Sequence, residues 1–320
     1  MMSISVRRGS KWLPDVDPTT LHRWIDKKEA VLWVDIQDPT EEELQLLVAQ
    51  FHFHPLAIED VRDRHQRPKI EVYPGYTFIV FYAVDWDDKD KRIITQEVEL
   101  FVGSNYVITL HEGPVVEIDR THIRWEQNVS TMNHNLITLL YSLLDAMLDD
   151  YFPVLDEISE RIEVLEQAVF EEFDPEILRD TLELKRDLLG LRRVVGPHRD
   201  VINILLRDES GLLSDAARPY LQDLYDHSLR IMEATDTYRD MVTSVTDGFL
   251  GVQSNNINVV MQRLTVLNLL FLPLAVLTGF FGMNFELIPF NSPYLLAGAL
   301  LAMVIFPAGL FFWLRRLGWG

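Results

Sequence analysis

Two stretches near the end of this 320-residue chain contain no charged residue: residues 264–281 (LTVLNLLFLPLAVLTGFF) and residues 294–314 (YLLAGALLAMVIFPAGLFFWL). Each is close to the roughly 20 residues that an α-helix needs to cross the hydrocarbon of a bilayer. A core helix of that length in a soluble protein normally interrupts its apolar run with charge, so the pair reads as two membrane spans rather than as a buried helical hairpin. Arg263 precedes the first span, and Arg315 and Arg316 follow the second. The positive-inside bias therefore predicts both outer flanks in the cytoplasm, with residues 282–293 as a short external loop. The start, MMSISVRRGSKW, lacks the apolar core of a signal peptide, so the expected arrangement is a multi-pass protein of the cell inner (plasma) membrane with both termini cytoplasmic.

Charge divides along the same line. Residues 264–320 hold Glu286, Arg315 and Arg316 as their only charged side chains, a net of +1, so residues 1–263 carry −21 against an overall −20. A body this acidic suits cations and does not suit duplex nucleic acid, whose phosphates require a basic surface. The chain has no Cys, which removes disulfides, Cys-based zinc sites and a cysteine nucleophile.

Ahead of the spans, the pattern suggests an α/β domain over residues 1–132, a helical region over 133–262 that ends in a stalk, and a two-span domain over 263–320. Short β-rich runs stand at 31–36 (VLWVDI), 76–84 (YTFIVFYAV), 96–102 (QEVELFV) and 105–110 (NYVITL), with a hairpin turn at Gly103, Ser104 and Asn105. DWDDKD (85–90) fails as a calcium loop, because an EF-hand counted from Asp85 places Asp90 where Gly is needed and Gln96 where the bidentate Glu belongs. It is expected to be a solvated connection. Helical periodicity then predicts one helix over 136–169 and another over 175–206. A third starts near Pro219, with Ser214 or Asp215 as candidate caps; nothing breaks it before Pro273, Gly248 and Gly251 are its weak points, and it is expected to run to Phe281. About 60 residues at 1.5 Å each make about 90 Å, so this helix leaves its domain and enters the bilayer.

Steps of three and four along that helix pick out Asp240, Ser244, Asp247, Gly251, Ser254, Asn258, Met261, Thr265, Asn268, Leu272, Ala275, Gly279 and Gly282. The row is polar or small almost throughout, where a bundle core would be Leu and Ile. A carboxamide at Asn268, inside an apolar span, costs several kcal/mol unless it meets a partner or water. Two arrangements satisfy it: several copies of the helix around a wet axis, which requires a homo-oligomer, or close helix packing through Thr278, Gly279 and Gly282. The continuation of the row below the span, from Asp240 to Asn258, favours the wet axis.

The first span ends in GFFGMNFE (279–286). As local grammar this is a helix stop, since Gly282 and Asn284 tolerate left-handed backbone. A ring of such carboxamides and carbonyls at a pore mouth offers neutral oxygens to a hydrated cation, and magnesium gives up its waters reluctantly. Here the chain strongly resembles the CorA family of divalent-cation channels, whose signature is Gly-Met-Asn at the end of the first of two C-terminal membrane helices. The resemblance is strongest over 54–80 (HPLAIEDVRDRHQRPKIEVYPGYTFIV) and 220–286.

The resemblance implies a funnel-shaped homopentamer, its α/β domain in the cytoplasm, the stalk continuing as the pore helix and the second span outside it. Gly282, Met283, Asn284 and Glu286 would form the external capture site, and Asn258 an inner polar ring. Met261, Leu264 and Leu272 would form an apolar gate, with Thr265, Asn268 and Gly279 also lining the pore. Glu59 and Asp60 (AIEDV) would face Asp223 and His227 (QDLYDH) of a neighbouring stalk and hold regulatory Mg2+ that keeps the channel closed. The same ion, with Co2+ or Ni2+ as further substrates, would be the cargo, and no organic cofactor is implied. One departure from the family pattern is that the external loop carries no acid after Glu286.

A zinc transporter of the ZntB branch, with or without proton coupling, has the same architecture, and His52, His54, His65, His111, His122 and His134 are candidate nitrogen ligands. Met283, Phe285 and Glu286 favour CorA instead. A membrane-anchored enzyme finds no support, because P-loop, GxGxxG, HExxH and GxSxG motifs are absent. A non-conducting membrane-anchored sensor would have no use for Asn268. The expected partners are further copies of the chain, lipid and divalent cations.

Overall fold

The computed structural model describes the chain except for residues 10, 26, 28, 128–134, 172–173, 208–214, 284–291 and 317–320. It comprises two compact units: residues 1–168 with 175–246, and residues 169–174 with 247–320.

A seven-stranded mixed sheet organises the first unit. Its strands are β1 (Met2–Arg8), β2 (Lys11–Leu13), β3 (Ala30–Gln37), β4 (Lys69–Tyr73), β5 (Tyr76–Asp87), β6 (Arg92–Gly103) and β7 (Tyr106–His111), in the order β2-β1-β3-β7-β6-β5-β4. Among these strands β3 and β7 pair in parallel and the other neighbours are antiparallel. The four β-rich runs of the sequence become β3, β5, β6 and β7. β3, β5 and β7 are apolar almost throughout because helices cover both faces of the sheet. The first half of DWDDKD, expected as a connection, extends β5, and residues 88–91 make the turn to β6, with Asp87 Oδ1 accepting the N–H groups of Lys89 and Asp90 at 3.0 and 3.2 Å. At the β6–β7 hairpin a Cβ on Gly103 would run into the Tyr106 ring, so a side chain there does not fit.

One face of the sheet is covered by α1 (His22–Ile25), α2 (Glu41–Phe51) and α3 (Pro55–Asp63). Leu47, Ala57 and Val61 from these helices share one apolar cluster with Val34, Phe78 and Ile108 from the strands. Local chemistry sets where the helices begin. Thr40 and Glu43 form a reciprocal capping box on α2, and α3 starts with Pro55 after His54, whose Nδ1 accepts the Leu56 N–H.

Trp33 and Phe81 alternate with the cluster residues and so point to the opposite face, toward α4 (Val116–Glu126) and α7 (Pro175–Arg207). Trp33 stacks on His122 of α4 with ring centroids 3.6 Å apart, and Phe81 stacks on His198 of α7 at 3.7 Å. The β4–β5 register ends at Lys69↔Val80, which leaves the N–H of Tyr82 without a strand partner. His198 Nε2 accepts it at 3.0 Å, so a helix residue completes the sheet edge.

The helix expected over 136–169 is in fact two, α5 (Leu136–Asp149) and α6 (Tyr151–Glu171). Pro153 supplies the reason. In a continuous helix it would lack the N–H that bonds the carbonyl of Asp149, whereas three residues into a new helix its N–H is not needed. Helix α8 (Arg218–Gly282) follows a 3-10 turn at Asp215–Ala217 and holds 65 residues, with Pro219 at its second position. Of the two candidate caps, Ser214 lies outside the described residues. Within the first unit α8 buries Leu221, Leu224, Ser228, Ile231, Thr235, Val242 and Val245, a seam in steps of three, four and seven.

The second unit contains the remainder of α8 and α9 (Pro293–Arg316). Both helices are long and apolar enough to cross a membrane, and their most apolar windows are 6% and 0% buried. An uncovered apolar face of this size is suited to lipid, and the alternative of a buried helical hairpin does not apply.

Candidate ion pathway and cation cluster

Every residue of the polar row, from Asp240 through Asn258 and Asn268 to Gly282, is exposed in the single chain. Buried or half-buried positions such as Val242, Val245, Phe249, Val266 and Leu270 lie on its other side. The polar row is thus bare along its length, and through residues 254–261 and most of the apolar span the rest of α8 is bare as well. Thr265 Oγ1 donates to the carbonyl of Met261 at 2.8 Å, so its hydroxyl is satisfied without help. The carboxamides of Asn258 and Asn268 have no such local partner among the described residues. Met261, Leu264 and Leu272 are apolar side chains 57%, 50% and 65% exposed.

Helix α8 closes at Gly282, and the N–H of Met283 bonds the carbonyl of Phe280 at 3.2 Å. Met283 is exposed, as a residue at a helix mouth would be. Asn284 and Glu286 lie outside the described residues, as do all of residues 284–291 within the loop expected over 282–293. At the far end of α9, Arg315 and Arg316 occupy the last turn.

A second cluster lies in the first unit, between α5 and α8. Residues four apart on a helix share a face, so α5 presents Tyr141, Asp145 and Asp149 together, and α8 presents Asp223 and His227. The Tyr141 hydroxyl donates to Asp223 Oδ2 at 2.8 Å. His227 Nδ1 stands 3.6 Å from Asp145 Oδ1 and 3.8 Å from Asp149 Oδ1, and its Nε2 is 3.8 Å from Asp223 Oδ1. Ligating atoms of Asp145, Asp149 and His227 all lie within 4.8 Å of one another.

Burial, followed by the charge of Asp149, pushes the Asp145 carboxyl up to about 6. Asp145 Oδ1 and His227 Nδ1 are buried atoms without a hydrogen-bond partner. Like-charged acids, an imidazole and orphaned donor atoms at these spacings fit a divalent cation, which would supply the missing partner and relieve the repulsion. Sequence reasoning singles out Asp223 and His227 and misses Asp145 and Asp149. The signal available is the four-residue spacing of two acids on a Leu-rich helix, matched by the same spacing in QDLYDH.

Glu59 and Asp60 do not join this cluster within one chain. Glu59 is exposed near the end of α3, and Asp60 is held by Lys69, whose Nζ reaches it at 2.7 Å and Glu71 at 2.9 Å. The histidines considered as zinc ligands are dispersed. His54 caps α3, His111 Nδ1 bonds the carbonyl of Gly113 at 2.7 Å, His122 stacks on Trp33, and His134 lies outside the described residues.

A bare polar row through an apolar span and, in the first unit, an acidic cluster that fits a cation are both features suited to ion transport. The profile of the "CorA-like Mg2+ transporter protein" family matches residues 28–316. The chain belongs to this family. It is a family of divalent-cation transporters. Over 260 residues the chain is 36% identical to the cobalt/magnesium transport protein CorA of Thermotoga maritima, covering 80% of this chain and 74% of that one. It is also 26% identical to the zinc transport protein ZntB of Pectobacterium atrosepticum, over 79% of this chain and 77% of the relative. The fold matches the complete structure of the CorA magnesium transporter from Methanocaldococcus jannaschii with a TM-score of 0.84, 24% identity and coverage of 99% and 98%. The α/β unit, long helix and two C-terminal apolar helices are thus a CorA-like fold.

Proposed function

We propose that this chain forms a homopentameric channel admitting Mg2+, with Co2+ and Ni2+ as further substrates, across the inner (plasma) membrane. The observation that carries this reading is the uninterrupted exposed row on α8, which passes through an apolar span and takes Asn268 with it. Copies of α8 arranged with that row inward solvate Asn258 and Asn268 at a wet axis, while Met261, Leu264 and Leu272 form a constriction that closes by dewetting. The domains assign themselves accordingly: residues 1–132 and 133–262 form the cytoplasmic body and stalk, and residues 263–320 the spans. Positive flanks at Arg263, Arg315 and Arg316 favour cytoplasmic termini. Gly282, Met283, Asn284 and Glu286 then stand at the external mouth as the capture site.

The same reading makes the acidic body a sensor. Bodies of −21 each repel when gathered around an axis, and cytosolic divalent ions shared between subunits relieve that repulsion and favour the closed state. Glu59 and Asp60 of one subunit and Asp223 and His227 of the next are the proposed ligands, and Asp145 and Asp149 extend the set. A cation that takes Asp60 must compete with Lys69.

His227 gives a second reading some support, because an imidazole among carboxylates suits Zn2+ or Co2+ directly, whereas Mg2+ prefers oxygen and would bind there through its waters. Flux into proteoliposomes, comparing Mg2+, Co2+ and Zn2+ with and without a proton gradient, separates the readings. Passive Mg2+ entry supports the channel. Zn2+ entry that requires the gradient supports a ZntB-like transporter, and absence of flux for all three ions overturns both.

A further inference from the structure

On the first unit, away from α5 and the α8 row, the loop between α3 and β4 forms a cleft of 480 Å3 with β6 and α7. Arg64 and Arg67 approach it from the loop and Arg193 from α7. Convergent arginines are unexpected on a chain with 49 acidic and 29 basic residues. The acids of the cleft are already engaged. The Glu97 carboxylate accepts the N–H groups of His65 and Gln66 and sits 3.1 Å from the Tyr82 hydroxyl, and Glu112 pairs with Arg64 at 2.7 Å. Glu99, on the same face of β6 as Glu97 and 2% exposed, is pushed up to about 8 by burial and then by Glu97, so it is neutral at pH 7. Arg67 and Arg193 are exposed, and among the described residues no carboxylate pairs with either.

Two further features keep the cleft built and open. Arg64 and His65 both have positive φ, +36° and +60°, a costly conformation for residues with a Cβ. Glu97 stabilises it by taking the two N–H groups that the turn exposes. On the opposite wall Gly190 lies one helical turn before Arg193, and a Cβ placed there meets nothing within 4 Å. Glycine inside a helix costs about 1 kcal/mol relative to alanine, and here it leaves the space beside Arg193 unfilled.

We propose that this cleft binds a small phosphate-bearing anion of up to nucleotide size, held between Arg67 and Arg193. A planar carboxylate is satisfied by a single guanidinium fork, whereas a phosphate group presents three oxygens and accepts forks from both walls at once. The volume falls in the ordinary range for small-molecule sites and exceeds the need of orthophosphate alone. This assignment does not depend on the ion-conduction reading.

The test is calorimetric titration of the full-length chain in detergent, with EDTA present so that Mg2+ chelation makes no contribution. The probes are orthophosphate, pyrophosphate, AMP and ATP, with citrate as a polyanion lacking phosphate. Binding of phosphate compounds below about 1 mM is expected, with citrate weaker. Nucleotides binding more tightly than pyrophosphate would place the nucleoside in the cleft, and equal binding would make the phosphates the whole determinant; both support the site. Arg67→Gln and Arg193→Gln should each weaken binding about tenfold or more, the loss of a charge-assisted hydrogen bond. Gly190→Met fills the cleft from a helix position without removing an arginine and should abolish binding with the thermal transition unchanged. No binding by any phosphate compound, citrate binding as tightly, or variants that bind like the parent protein would overturn the proposal.

Discussion

His198 links α7 to the edge of the sheet, and its burial makes that link sensitive to acid. The ring is fully buried and its Nε2 accepts the Tyr82 N–H, so burial depresses its pKa from 6.5 to about 3. A group depressed in the fold takes up its proton only on unfolding. Its contribution is therefore fully present above pH 6.5 and is lost as pH falls toward 3, at about 1.36 kcal/mol per pH unit. At pH 4.5 the loss amounts to about 2.7 kcal/mol, or about a hundredfold in the folding equilibrium. The informative variant is His198→Gln, which keeps an acceptor for the Tyr82 N–H and cannot titrate. Denaturant unfolding of both proteins, followed by tryptophan fluorescence, isolates this contribution because the carboxylates they share cancel in the difference. The variant should be less stable at pH 7.5, having lost the stack on Phe81, and should recover about 2.7 kcal/mol relative to the parent by pH 4.5. Parallel pH profiles for the two proteins would refute the reasoning.

Three other outcomes concern the pathway and the acidic body, and a fourth concerns the sheet. Asn268→Leu removes the polar group from the middle of the first span, and cation flux in proteoliposomes should fall about tenfold or more while cross-linking still detects the oligomer. Asn284→Ala should abolish Mg2+ uptake with assembly retained; undiminished uptake would remove the proposed capture site. Asp145→Asn or Asp223→Asn should weaken the protection that Mg2+ gives the acidic body against protease, and identical cleavage with and without Mg2+ in the parent protein would count against a sensor. Gly103→Ala drives a methyl group into the Tyr106 ring and should cost about 1–3 kcal/mol of stability, read as a lowered denaturant midpoint.

The membrane helices and the polar row are legible in the order of residues because their causes are local. Uncharged length, a period of 3.5 residues and the flanking arginines can all be read along one segment, and α8 starts and ends close to where Pro219 and Gly282 suggest. The strongest strands are legible for a similar reason, since β3, β5 and β7 are buried on both faces and need apolar residues throughout. Elements whose cause lies elsewhere in the chain are not. The amphipathic helices α2 and α3 take their place from the sheet they cover, β4 is a short charged edge strand, and the break at Asp150 depends on where α6 must restart around Pro153.

Sequence alone determined that this chain is a two-span protein with an acidic body and a polar stripe on its longest helix, because hydropathy and charge are properties of residues in order. Tertiary structure decided which acids meet. Asp145 and Asp149 join Asp223 and His227 only when α5 packs on α8, and Asp60 turns instead to Lys69. It also decided that Arg67 and Arg193, far apart in sequence, border one cleft, and that His198 completes the hydrogen bonding of Tyr82. Each of these depends on a pairing between segments, and pairing is set by the shared core.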